Sequence, residues 1–157
     1  MTILSAQTIR NTMYKEKSGF YRIIEPFYER TKHEQSGTTF GLSMCGYDVR
    51  LDQNVTLFPG QFKLASTLEK FYIPNDIMAT VHDKSTWARR GLAVQNTVIE
   101  PGWVGFLTLE LTNHGLNKLE LIVGTPIAQV IFQRLDYSTD GYNGKYQNQE
   151  RGPQEAK

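Results

Sequence analysis

The chain is poor in the groups that most sharply announce a chemistry. A single cysteine, Cys45, stands in 157 residues, which excludes an internal disulfide and makes the reducing cytoplasm the expected setting. For Cys45 itself a buried small side chain is expected rather than a nucleophile. The three histidines, His33, His82 and His114, cannot with one cysteine supply the His/Cys and Cys-pair ligands of a zinc deaminase. No apolar run approaches the ~20 residues of a membrane span, and no basic-then-apolar leader pattern opens the chain. Excess charge is lacking too. Lys and Arg number 17 against 16 Asp and Glu, a net charge of +1, short of the basic bias of a general nucleic-acid binder. Neither a nucleic acid nor a membrane is an expected partner, whereas a small anion held by a few local bases stays open.

What is present suits one folded unit. Hydrophobic residues make up 39% of the chain, enough for a core at this length. Ser5 can cap a helix over the first 14 residues, where Ile9 and Met13 recur at helical spacing. The mixed segment Lys15 to Gly41 reads as loops around a short strand near Tyr21–Ile24. Period-two runs then follow at Tyr47–Leu51, Gln61–Ser66, Glu69–Tyr72, Ile77–His82, Phe106–Thr112, Lys118–Val123 and Ile127–Arg134. Pro-Gly, Pro-Asn-Asp and Asn-His-Gly turns divide them. So many short strands predict an all-β sandwich, jelly roll or barrel. One short interior helix is expected over Lys84 to Arg90, capped by Asp83 and left through Gly91. Residues 1–136 are read as one β domain. Residues 137–157, rich in Gly, Tyr, Asn, Gln and Lys, are read as a flexible tail.

Several places carry candidate chemistry. Lys84, Ser85, Thr86 and Arg89 crowd the start of the interior helix, where free N–H groups and the helix dipole favour phosphate. The alternative is a capped surface helix with solvated bases. Glu110 sits in the strand Phe106–Thr112, on the face opposite Leu107, Leu109 and Leu111. Either that face is wet, or the carboxyl lies in a pocket that raises its pKa into a range useful for moving protons. Glu100 and Trp103 flank a Pro-Gly turn, with Trp103 either covering core or packing on a flat base or sugar. Asp48 reads as a turn residue or an ion pair with Arg50. In the tail, Lys145 suits phosphate and Gln149 the edge of a base, unless the segment is merely a disordered polar end.

The order of these motifs resembles the dCTP deaminase family. KSTWARRGL (84–92) is similar to that family's Arg-Ser-Ser signature, and IEPGWVGFLTLELTN (99–113) to its Asp-Pro-Gly-Trp and Leu-Glu element. GTPIAQVIF (124–132), CGYDVRL (45–51), the approach IPNDIMATVHDKST (73–86) and the tail KYQNQERGP (145–153) match further elements, in order. The resemblance implies a distorted β jelly-roll of the dUTPase-like β-clip kind and a deoxynucleoside triphosphate substrate. It also implies a homotrimer with sites at subunit boundaries, and Mg²⁺ carried with the triphosphate rather than zinc. It places Glu110 at the catalytic carboxylate, with Ser85 and Arg89 near the reacting end of the base. Lys84 and Thr86 fall at the phosphates and Glu100 at the deoxyribose 3′-hydroxyl. Trp103 and Thr108 fall in the substrate pocket, and Tyr142, Lys145 and Gln149 in the closing tail. The implied activity is hydrolytic deamination of dCTP. The alternative is dUTP diphosphatase, or both activities in one protein. Lys84 stands where the family has arginine and Glu100 where it has aspartate, and the segment Asn96-Thr97-Val98 is about two residues shorter.

Overall fold

Among the described residues, the alternation seen in the sequence becomes three antiparallel sheets with two short helices. The structure is a computed structural model that describes residues 2–14 and 22–156. In chain order its elements are β1 (Thr2–Ile3), α1 (Ala6–Tyr14), β2 (Ile24–Glu25), β3 (Thr31–Lys32), β4 (Thr39–Ser43), β5 (Gly46–Arg50), β6 (Val55–Leu57), β7 (Phe62–Tyr72) and β8 (Ile77–Asp83). There follow α2 (Ser85–Ala88), β9 (Leu92–Val94), β10 (Val98–Ile99), β11 (Val104–Asn113), β12 (Leu119–Leu121) and β13 (Pro126–Arg134). The largest sheet runs β10-β8-β13-β5-β4-β3, with β1 added beside β13. The second runs β2-β7-β11-β9, and β12 pairs with β6. This is the distorted all-β jelly roll expected, with the expected helices at the N-terminus and in the interior.

The core lies between the two larger sheets. Leu107, Leu109 and Leu111 of β11 turn inward, as do Ile127, Ala128, Val130 and Phe132 of β13. Phe71 and Phe132 meet across the layers with ring centroids 6.4 Å apart. Each such fully buried side chain contributes about 1.5–3 kcal/mol of transfer free energy. The N-terminal helix packs as its spacing implies, with Leu4, Ile9 and Met13 buried and the Ile9 N–H bonded to Ser5 O at 3.0 Å.

Several local expectations change. Gln61–Ser66 and Glu69–Tyr72 form one strand, β7, because Thr67 bridges what looked like a break. Its hydroxyl donates to Glu69 O (2.8 Å) and accepts from the Leu107 N–H (3.1 Å), where the β11–β7 register shifts between Phe106 and Thr108. The segment read as loops contains β3 and β4, and Tyr21 of the proposed first strand lies outside the described residues. Asp83 does not cap α2: Lys84 is the N-cap residue, without a side-chain bond, and Asp83 Oδ1 instead accepts from the Val94 N–H at 2.7 Å. What holds α2 is Trp87, buried and donating from Nε1 to Pro126 O at 2.7 Å. Gly91 does leave the helix left-handed, at φ +89, and a Cβ there would fall 2.4 Å from Gly115 N. Cys45 is exposed rather than buried, because it sits beside Met44 at the tip of the β4–β5 hairpin.

Candidate active site

Glu110 lies in the middle of β11, and the register explains its surroundings. It faces Leu64 across the β11–β7 ladder, while Thr112 faces Phe62 and Thr108 faces Ser66. Leu64 and Phe62 thus flank the carboxyl on its own face of the sheet. All three line a cleft of about 640 Å³ with Thr97, Glu100, Trp103 and Thr108. Glu110 Oε2 is buried and, alone among buried side-chain polar atoms of the described residues, has no hydrogen-bond partner. Burial holds its carboxyl above the ordinary glutamate value. An unpaired buried carboxyl oxygen is costly, and a bound group that pairs with it removes the cost.

The chain's last residues form the cleft's other wall. Tyr142, Tyr146, Gln149, Gln154, Glu155 and Ala156 all line it. Trp103 Nε1 donates to Tyr146 O (2.7 Å), and the Val104 N–H donates to Gln147 Oε1 (2.8 Å). Gln147 Nε2 in turn donates to Gly102 O and Tyr142 O. Gln149 bridges Gly105 in parallel and accepts from the Phe106 N–H at 3.0 Å. A Cβ on Gly105 would stand 2.8 Å from Gln149 N and 2.8 Å from Trp103 Cζ2, so only glycine admits this approach. Lys145 does not line the cleft; its ammonium lies 5.0 Å from the centroid of the Tyr146 ring.

The cluster at α2 lies elsewhere. Lys84, Ser85 and Thr86 line a second cleft, of about 790 Å³, with Arg30, Ser43, Asp48 and Gln129. Arg89, exposed at the C-terminal end of α2, lines neither cleft. Within one chain, therefore, Glu110 shares a cleft with Glu100, Trp103, Thr108, Tyr142 and Gln149, but not with Ser85, Arg89, Lys84 or Thr86. Asp48 does not pair with Arg50 as its spacing suggested. It holds Lys84 Nζ at 2.6 Å, and Arg50 Nε pairs with the buried Glu69 at 2.7 Å. Burial outweighs the Lys84 ammonium and keeps Asp48 above the usual carboxylate value.

Sequence reasoning did not single out Phe62, Leu64, Thr97, Tyr146 or Gln154 for this cleft. Leu64 and Phe62 had a usable signal, since they stand on one face of an expected strand, but their register against Glu110 had none. Among the described residues, no three His, Cys, Asp or Glu side chains gather closely enough to hold a metal ion. No helix of the described residues is long and apolar enough to cross a membrane.

Comparisons with known proteins define first the fold. The chain superposes on the native dUTPase of EIAV with a TM-score of 0.55 and 22% identity, over 78% of this chain and 98% of that one. It superposes on a single-substitution mutant of the dUTPase of phage phi11 of S. aureus, a structure describing coordination of a structural Mg(II) ion, with a TM-score of 0.56 and 14% identity, over 77% and 92% of the two chains. These likenesses mark a β-clip fold. The sequence then gives the family. Residues 44–135 match the DCD, dCTP deaminase-like, family model. The dCTP deaminase of Wolbachia sp. subsp. Brugia malayi (strain TRS) is 33% identical over 168 residues, covering 86% of this chain and 90% of that protein. The chain belongs to the dCTP deaminase-like family.

Proposed function

We propose that this protein is a hydrolase that converts dCTP and water into dUTP and ammonia, with Glu110 moving the protons. The observation that carries the reading is the buried, unpartnered Oε2 of Glu110, on a carboxyl whose pKa burial raises, inside a cleft sized for a nucleoside. Membership of a family whose relatives are named dCTP deaminases supports it.

In this reading water adds to C4 of cytosine while the Glu110 carboxylate takes one of its protons. Glu110 passes that proton to N3; it then carries the remaining proton of the C4 hydroxyl to N4, so that the C4–N4 bond breaks, C4=O forms and the amine leaves as ammonia. Ser85 and Arg89 meet the charge that develops at the reacting end of the base. Because these two lie outside the Glu110 cleft of their own chain, they come from another copy, as in a homotrimer with sites between subunits. Lys84, Thr86 and Lys145 take the triphosphate; Mg²⁺ accompanying it would supply positive charge to the phosphates. Glu100 accepts from the deoxyribose 3′-hydroxyl, and Trp103 and Thr108 form the pocket wall. The C-terminal segment closes over the nucleotide through Tyr142 and Gln149. Binding of the remote phosphates positions the ring against the carboxyl. We place the protein in the cytoplasm, where its single cysteine stays reduced.

A second reading is cleavage of dUTP to dUMP and pyrophosphate, alone or after deamination. Glu100 beside Trp103 in the same cleft favours it, as an acid that could orient water at the α-phosphorus. Glu110 separates the two, since diphosphate cleavage has no use for a carboxyl at the base. Incubation with dCTP or dUTP and Mg²⁺, followed by quantitation of ammonia, dUTP, dUMP and pyrophosphate, tests both. Ammonia and dUTP from dCTP are expected. Pyrophosphate without ammonia would replace the first reading by the second.

A further inference from the structure

Beyond β9, which covers β11 only at Leu111–Asn113, the outer edge of β11 is taken by the chain's own C-terminal segment. The contact at Gly105 and Phe106 is backbone to backbone. The next contact is not. Gln149 Nε2 donates to Thr108 Oγ1 at 2.6 Å, and the Gln154 backbone N–H donates to the same oxygen at 3.0 Å. A threonine hydroxyl has two acceptor sites, so one side chain gathers two tail positions five residues apart. Thr108 also stands on the same face of β11 as Glu110, one pleat away. Gln154, with its neighbours Glu155 and Ala156, lines the Glu110 cleft.

We infer that Thr108 is a positioning residue: its hydroxyl is the latch that seats Gln149 and the end of the tail over the Glu110 cleft. The inference deepens, and its catalytic part rests on, the proposed deamination of dCTP. Substrate affinity should then depend on Thr108 through the tail as well as through its place in the pocket wall, and only the tail part moves with the Phe106 amide. The chain also carries its own reporter. The Phe106 amide proton is bonded to Gln149 O, so its exchange with solvent reads tail docking directly.

The test uses the full chain with Thr108→Val, which keeps the shape and removes the acceptor, and Thr108→Ser, which restores it. In Thr108→Val the Phe106 amide should exchange about tenfold faster, the factor expected for one or two lost hydrogen bonds. KM for dCTP should rise by about the same factor. The acid limb of the pH profile, set by Glu110, should not move, and kcat should change less than KM. Thr108→Ser should return both exchange and KM to wild-type values. Gln154→Pro removes the backbone donor together with the Gln154 side chain, whose Nε2 donates to Gly152 O, and Gln154→Ala removes the side chain alone. Exchange at Phe106 should rise in the proline variant and not in the alanine one, which decides the latch if Thr108→Val fails to fold. Unchanged exchange in Thr108→Val overturns the latch. So does faster exchange with unchanged KM, or a serine variant that behaves as valine does. If the wild type releases no ammonia from dCTP, the proposed reaction fails by itself, and exchange at Phe106 together with the dissociation constant for dCTP still decides the latch.

Discussion

Lys84 Nζ lies 2.6 Å from Asp48 Oδ2, with only 12% and 10% of the two side chains exposed. The pair joins the N-cap residue of α2 to β5, and so places Ser85 and Thr86 at the rim of the second cleft. Removing one member leaves the other charge buried without compensation. Asp48→Asn should destabilise the fold by about 3 kcal/mol, a fall of about 6–12 °C in Tm. The double variant Asp48→Asn, Lys84→Met should regain much of this in thermal unfolding, and a double variant no better than the single would refute the account.

Glu110 holds its proton more tightly in the fold than in the unfolded chain, because burial disfavours the anion. Between the ordinary value of 4.5 and the raised one the folded state binds more protons, so stability falls as pH rises through that window. Glu110→Gln removes this penalty. Its Tm should exceed the wild type's near pH ~8 and match it near pH ~4. Calorimetry at the two pH values checks this, and equal Tm at the higher pH would mean a well-solvated carboxylate. In the active protein the acid limb of kcat/KM should inflect above 4.5.

Gly105 admits the tail by lacking a side chain. Gly105→Ala puts a Cβ within 2.8 Å of Gln149 N, so the tail should detach while the sheets persist. Limited proteolysis should then cleave the C-terminal segment several-fold faster, with KM for nucleotide raised. A tail as protected as in the wild type would contradict the packing described.

Arg50 is clamped by its π neighbours as much as by its ion pair. Its guanidinium carbon lies 4.6 Å from the Tyr28 ring centroid and 4.4 Å from that of Phe40, while Nε bonds Glu69 at 2.7 Å. A lysine keeps the charge but loses the planar group that stacks. Arg50→Lys should therefore lower Tm by about 4–8 °C, corresponding to ~2 kcal/mol. A change of less than a degree or so would show that charge alone matters.

Much of this architecture was legible in the chain because period-two patterning is a local property. The alternation of Leu107, Leu109 and Leu111 against Thr108 and Glu110 placed the acid on the correct face of β11, and Ile9 and Met13 placed α1. The strands β3 and β10 escaped because a run of two residues carries no period. The merging of β7 escaped because Thr67 repairs the register through a side-chain bond made 40 residues away. At the site, sequence grouped Glu110 with Ser85 and Arg89 through resemblance, whereas folding puts them in different places of one chain. The choice of Lys84, not Arg50, as partner of Asp48 depends on which strands become neighbours, and local spacing is silent on that.

One working site should join Glu110 of one copy to Ser85 and Arg89 of another, and mixing inactive variants measures this central claim most directly. Glu110→Gln and Arg89→Ala, each without activity alone, are combined in equal amounts, exchanged between assemblies, and assayed for ammonia from dCTP. About a quarter of the sites should then carry both intact halves, with activity returning in that proportion. A mixture as inert as its parts, beside a wild type that deaminates dCTP, would contradict the shared site.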